Sequence, residues 1–162
     1  MQEDRTVCFT GHRRITPFDE VMLEPLLEEE IEKQIRLGAV HFRAGGAVGF
    51  DTLAAICVLK MKRKHPKIRL DLFLPCPTQS AKWGKHDVQI YREILEQADS
   101  YRYVSPHYFS GVYRMRNERM LDGAQVCIAY LNGAEGGTLQ TCTSALKRGI
   151  ELINLQDQLN EA

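Results

Sequence analysis

Short apolar runs alternate with longer stretches whose apolar residues recur at helical spacing, along the whole of this 162-residue chain. Strands kept apart by helices cannot pair as hairpins. They form a mostly parallel sheet with helices on both faces, joined by right-handed crossovers. Thr6–Thr10, Val40–Ala44, Ile68–Leu74, Tyr101–Val104, Gln125–Leu131 and Glu151–Leu155 read as the strands. Helical spacing marks Pro17 to about Leu37, Gly49 to Lys64, Asp87 to Ala98, Val112 to Leu121 and Thr138 to Arg148. A single α/β domain of about six strands is expected, because the length suits one core and no linker or low-complexity segment divides it.

Helix ends support these boundaries. Thr16 can cap the first helix, Pro17 suits its first position, and Asp19 completes a T-x-x-D signal. Gly38 stops that helix, and Pro25 is expected to kink it or split off a first turn. The second helix ends in a basic turn, Lys60 to Lys64, with Pro66 beyond.

In sheets of this class, loops at the carboxyl ends of the strands gather where the strand order reverses, and ligands bind there. Three such loops stand out. Phe9-Thr10-Gly11-His12-Arg13 follows the first strand. After the second strand, Gly45-Gly46 and Gly49 lead to Asp51 at the start of a helix. Glycine permits a positive-φ bend and close approach of a ligand, and the helix N-terminus offers free N–H groups to an anion. Such a segment is either a phosphate cradle or a structural turn capped by Asp51. The third loop is Asn132 to Thr138, where Gly136, Gly137 and Thr138 can present N–H groups and a hydroxyl. Arg13 suits a phosphate as a planar fork, and His12 is either a hydrogen-bond donor or a loop anchor. The fourth helix carries Arg114, Arg116 and Arg119, with Asn117 placed to read a base edge or a ribose. Salt bridges to Glu118 or Asp122 are the alternative use of those arginines. Trp83, the only tryptophan, is either a core anchor or, as its loop position beside Gly84 and Lys85 favours, a pocket lid that could stack on a base with Tyr91.

Composition restricts the partners. Lys+Arg and Asp+Glu are both 21, so the net charge is zero and a global electrostatic hold on nucleic acid or membrane is disfavoured. Five cysteines, without a C-x-x-C pair, lie mostly in apolar elements, which suits a reducing compartment. Cys76, between two prolines, is either a reactive thiol or a buried loop anchor. The charged start MQEDRT lacks a secretory signal, and no apolar run reaches membrane-spanning length, so a cytoplasmic location is expected. The five histidines are scattered, and no metal site is expected.

Taken in order, F-T-G-H-R, G-G-A-x-G-F-D, L-P-C-x-x-Q-x-x-x-W, R-M-R-N-x-x-M-x-D and G-G-T over about residues 5–155 resemble the YpsA-like branch of the SLOG superfamily. That superfamily also holds the DprA/Smf proteins and the LOG-type phosphoribohydrolases. The resemblance implies a Rossmann-like domain with a pocket for nucleotides or nucleotide-derived molecules. It places Gly11, His12, Arg13, Gly45, Gly46, Asp51, Gly136, Gly137 and Thr138 at the pocket, with Arg116 and Asn117 on the arginine-rich helix. Where LOG enzymes carry a catalytic glutamate, this chain has Thr141. A LOG-like N-glycoside hydrolase would need Asp51, Glu118 or Glu135 instead, with Arg116 or Arg119 on the phosphate. A DprA-like single-strand binder is the other alternative, and the balanced charge weighs against it. The expected role is a binding or sensor domain for a nucleotide-like small molecule, acting as a homodimer, with no further cofactor assigned.

Overall fold

β1 (Arg5–Gly11) is buried from Thr6 through Thr10, as a strand with neighbours on both sides and both faces must be. The computed structural model describes residues 4–133 and 136–161. Five more strands follow: β2 (Ala39–Ala44), β3 (Arg69–Leu74), β4 (Ser100–Tyr103), β5 (Val126–Tyr130) and β6 (Glu151–Asn154). The helices are α1 (Pro17–Arg36), α2 (Phe50–Lys64), α3 (Lys85–Gln97), α4 (Val112–Leu121), α5 (Gly137–Lys147) and α6 (Leu155–Asn160). All six strands are parallel, in the order β4-β3-β2-β1-β5-β6. The chain is a single Rossmann-like α/β domain.

From β1 to β4 the chain steps outward in one direction. Right-handed crossovers then place α1, α2 and α3 on one face. Val7, Phe9, Phe42, Leu70, Leu72 and Leu74 meet Leu27, Ile31, Ala54 and Val58 there in the larger core. The chain then returns across the sheet to β5 beside β1, so α4 and α5 lie on the opposite face. Cys8 and Cys127 pack there with Met120, Leu121 and Ala145. The period-two pattern of each strand thus feeds two cores. Burying one such Leu or Phe side chain contributes about 1.5–3 kcal/mol.

Beyond the reach of α4 and α5, polar side chains close the second face. Asp71 on β3 is buried and accepts from Ser100 Oγ at 2.6 Å and Arg69 Nη2 at 3.2 Å. Arg43 and Arg102 both lie over the Phe73 ring, 5.1 and 4.6 Å from its centre.

Two expectations need correction. No first turn is split off at Pro25: α1 runs on from Pro17 to Arg36 with Pro25 inside it. Pro25 and Val21 are both exposed, so the one carbonyl that Pro25 leaves without a helical partner can turn to water. The last strand also stops one residue early. Asn154 Oδ1 accepts from the Gln156 N–H at 3.1 Å and starts α6, whose Leu155 and Leu159 enter the larger core. Thr16 caps α1 as expected, its Oγ1 accepting from the Asp19 N–H at 3.1 Å. All five cysteines are free and buried, Cys76 included, which fits the loop-anchor reading. Among the described residues no helix is long and apolar enough to cross a membrane.

Gly11 ends β1 against α2. A Cβ there would lie 2.4 Å from the Phe50 ring. That ring is held by Tyr130 at 5.9 Å and Phe9 at 6.5 Å and cannot retreat. Gly11→Ala should therefore destabilise the domain by about 1–3 kcal/mol. Urea denaturation measures this; an unchanged midpoint would show that the ring has room to move.

Candidate functional site

The strand order reverses between β1 and β5, so their carboxyl ends diverge and leave a crevice. A cavity of about 260 Å³ lies there. Four segments line it: Thr10 to Arg13 after β1, Ala47 and Asp51 at the start of α2, one side of α4, and Gly137-Thr138 at the start of α5.

The β1 loop is stitched to its neighbours on both sides. The Phe50 N–H donates to His12 O at 3.1 Å, and His12 Nε2 accepts from the Asn132 N–H at 2.8 Å. His12 therefore joins the β1 and β5 loops as an acceptor, which places its ring proton on Nδ1. Gly49 has φ +84°, and a Cβ there would lie 2.2 Å from Arg13 O. The turn before α2 thus rests directly on the Arg13 backbone. The Arg13 side chain is exposed, its guanidinium 5.1 Å from the centre of the Tyr113 ring.

Asp51 and Arg116 form the floor. Asp51 lies in the first turn of α2, just inside the N-terminal residue Gly49. Its Oδ2 accepts from the Ala47 N–H at 3.3 Å, and Thr52 Oγ1 donates to Ala47 O at 2.8 Å. Together they close the glycine turn, so Asp51 supports the turn and lines the cavity at once. Arg116 reaches from α4 beneath the turn and is buried. Its Nη1 donates to Gly45 O and, at 3.4 Å, to Phe73 O. Its Nε donates to Asn117 Oδ1 at 2.7 Å, which leaves the Asn117 amide Nδ2 on the Gly137 side, 3.9 Å from where a Gly137 Cβ would stand. Burial pushes the Asp51 carboxyl above its ordinary value, and Arg116 and the Ala47 N–H pull it back only in part. Burial likewise lowers Arg116, with Asp51 opposing.

Of the residues singled out in the sequence, Gly11, His12, Arg13, Asp51, Arg116, Asn117, Gly137 and Thr138 meet around this cavity. Gly45 and Gly46 do not line it. A Cβ on Gly45 would stand 2.7 Å from Arg116 Nη1 and 2.8 Å from Asp51 Oδ2, and one on Gly46 would stand 2.5 Å from Leu74 Cδ2. The close approach these glycines permit is taken by the protein's own side chains. Trp83 lies behind the same turn, edge-on to Tyr91 at 5.2 Å. Gln79 Nε2 donates to Tyr91 Oη at 3.2 Å and to Gly46 O at 3.4 Å, so this group supports the turn from outside the cavity. Gly136 precedes α5 with φ +99° but is not in the lining. Ala134 and Glu135 lie outside the described residues.

The remaining carboxylate candidate faces elsewhere. Glu118 accepts from Arg148 Nη2 at 2.6 Å and Ser144 Oγ at 2.9 Å, tying α4 to α5. Thr141 Oγ1 donates back to Gly137 O at 2.9 Å and is consumed within its helix. Thr10 of the first loop completes the lining together with Ala47, Tyr113 and Met120, three residues without a role in the sequence reading. The signal for two of them was available: Tyr113, Arg116, Asn117 and Met120 fall at i, i+3, i+4 and i+7, one face of α4.

Comparisons with known proteins agree with this architecture. The YpsA model, described as the YspA SLOG family, matches residues 18–155. The chain belongs to the YpsA SLOG family. It is 29% identical over 150 residues to the SPbeta prophage-derived protein YoqJ of Bacillus subtilis, covering 83% of this chain and 85% of that protein. It is 30% identical over 113 residues to the UPF0398 protein BH1768 of Halalkalibacterium halodurans, covering 68% and 57%. Two solved structures of DNA processing protein A share the fold. The one from Helicobacter pylori, described for its single-stranded DNA binding mode, has a TM-score of 0.65 at 21% identity, over 97% of this chain and 72% of that one. The one from Streptococcus pneumoniae has a TM-score of 0.67 at 16% identity, over 92% and 49%. At these identities the likeness is one of fold.

Two variants probe the floor. Arg116→Ala leaves the buried Gly45 and Phe73 carbonyls without this donor and should cost about 1–3 kcal/mol in chemical denaturation; no loss at all would mean that water replaces the guanidinium. Because the folded-state value of Asp51 is raised, folding favours its protonated form. Wild-type stability relative to Asp51→Asn should be greatest below the ordinary value of 3.8 and fall as pH rises through the raised folded value. Paired urea titrations between about pH 4 and 8 read this difference, and a difference that moves the other way would contradict it.

Proposed function

We propose that this domain binds a nucleotide-derived small molecule in the crevice between β1 and β5. The observation that carries the reading is the convergence of Arg13, the N-terminus of α5 and the start of α2 on one polar cavity at the reversal of the sheet. A phosphate there would meet the Gly137 and Thr138 N–H groups, the Thr138 hydroxyl and the Arg13 fork, an arrangement that suits an anion by both dipole and donor direction. Asp51 in the floor and the Asn117 amide beside Gly137 supply an acceptor and a donor, which suits sugar hydroxyls. Arg116 spends its Nη1 and Nε donors within the protein, so its part is to hold the turn rather than to pair with the phosphate.

The fold shared with the Helicobacter pylori DNA processing protein A supports a second reading, in which the phosphate belongs to a single strand. The zero net charge favours the small molecule. A hydrolytic reading retains Asp51 as its one carboxylate in the lining among the described residues.

Thermal-shift titration separates these. At a hundredfold excess over Kd a bound nucleotide adds about 2.7 kcal/mol, which raises the melting temperature of a domain this size by about 5 °C or more. Adenosine monophosphate, ADP-ribose and NAD are the probes, with a hexadeoxyadenylate strand as the competing class. A shift with the small molecules that is lost in Arg13→Ala and kept in Arg14→Ala is the expected result. A shift with the strand alone, falling steeply with salt, would favour the second reading. No shift with any of them would remove the basis for the proposal.

A further inference from the structure

The polar cavity is small. About 260 Å³ lies below the ~300 Å³ at which pockets for whole drug-sized ligands begin, so a nucleotide placed there must extend out of it. A second cavity, of about 360 Å³, opens on the other side of the β1 loop, and Arg13 lines both. The second differs in chemistry. Ile15, Leu53, Ile56 and Ile90 give it aliphatic walls between α1, α2 and α3, and the carboxylates of Glu20 and Asp87 stand among its lining. The Gly49 turn, packed on the Arg13 backbone, is the ridge between the two.

We propose that the ligand is bipartite: its phosphate and sugar occupy the polar cavity, and its base lies in the aliphatic cleft beyond Arg13. This rests on the nucleotide reading above. A flat, weakly polar ring suits aliphatic walls, and the phosphate then stays within reach of the exposed Arg13 fork at the divide. The cleft also selects among bases. Glu20 and Asp87 are acceptors only, so they suit a base with an exocyclic amino group, as in adenine, guanine or cytosine, and leave the carbonyl edge of uracil facing negative charge. The preferred ligand class is a nucleotide whose base carries an exocyclic amino group.

Isothermal titration of the full chain with ribose 5-phosphate, adenosine monophosphate, guanosine monophosphate and uridine monophosphate tests this. The wild type should bind the two purine nucleotides at least tenfold more tightly than ribose 5-phosphate or uridine monophosphate. His86 lines the second cavity and is exposed on α3, so His86→Trp fills the cleft without disturbing the core. It should reduce purine nucleotide affinity to the level of ribose 5-phosphate and leave ribose 5-phosphate itself unchanged. Asp87→Asn should narrow the gap between adenosine and uridine monophosphates. Equal purine affinity in His86→Trp and wild type would overturn the bipartite site, as would equal wild-type binding of ribose 5-phosphate and adenosine monophosphate. Absence of binding by ribose 5-phosphate and all three nucleotides would instead remove the nucleotide reading on which the bipartite site rests.

Discussion

Arg116 fixes the geometry of the crevice. Its guanidinium passes from α4 under the Gly45-Gly46 turn to the carbonyls of Gly45 and Phe73, at or just beyond the ends of β2 and β3. Buried carbonyls without a donor are costly, and the turn is bent too sharply to continue the sheet. A charged donor meets both at once. Burying that charge costs several kcal/mol unless an opposite charge offsets it, and Asp51 supplies it from the adjacent helix. Each side chain comes within 3 Å of where a Gly45 Cβ would stand, at 2.7 Å for Arg116 Nη1 and 2.8 Å for Asp51 Oδ2, so the glycine is needed to admit them both. The position of α2, the bend of the turn and the docking of α4 are thus one coupled arrangement, and the cavity is the space left above it.

This coupling explains which parts of the site could be read from the sequence. Apolar alternation in Leu70, Leu72 and Leu74 and the Thr16-Pro17 start of α1 are local signals. The strands and most helix ends follow from them. The three loops could be placed together because a parallel sheet with a reversal sends its strand ends to one edge. What a glycine makes room for is a long-range fact. Gly45 and Gly46 look the same in sequence whether a phosphate or a guanidinium fills the space, and only the fold brings Arg116, 71 residues away, to the turn. Trp83 shows the same limit: a loop tryptophan beside glycine fits a lid as well as a prop, and Gln79 and Tyr91 make it a prop. The short α6 is hidden in the sequence because Leu155 continues the apolar run of β6.

The two arginines of the crevice divide the electrostatic work according to their burial. Arg116 is desolvated when the chain folds, and two of its nitrogens are already committed to protein acceptors. A ligand anion placed beside it gains little new hydrogen bonding and must compete with Asp51 for its field. Arg13 is exposed, lies over the Tyr113 ring, and can trade water for an anion without any rearrangement of the turn. Its backbone, by contrast, is held between His12, Phe50 and Gly49, so the side chain starts from a fixed point.

That division bears on what the fold can be used for. A shared fold with DNA processing protein A carries the reversal crevice, but a crevice alone does not select a ligand. Selection requires groups that remain available after folding, and in this chain those are few: Arg13, the α5 N-terminus, the Asn117 amide and the Asp51 carboxyl. They are arranged around a cavity of about 260 Å³, in a protein with no net charge to hold a long strand. The proposed nucleotide would place its phosphate among them and find the rest of its binding surface outside the polar cavity. Arg13, the one residue among these that also borders the aliphatic cleft, is therefore the group through which recognition of the two ends would be joined.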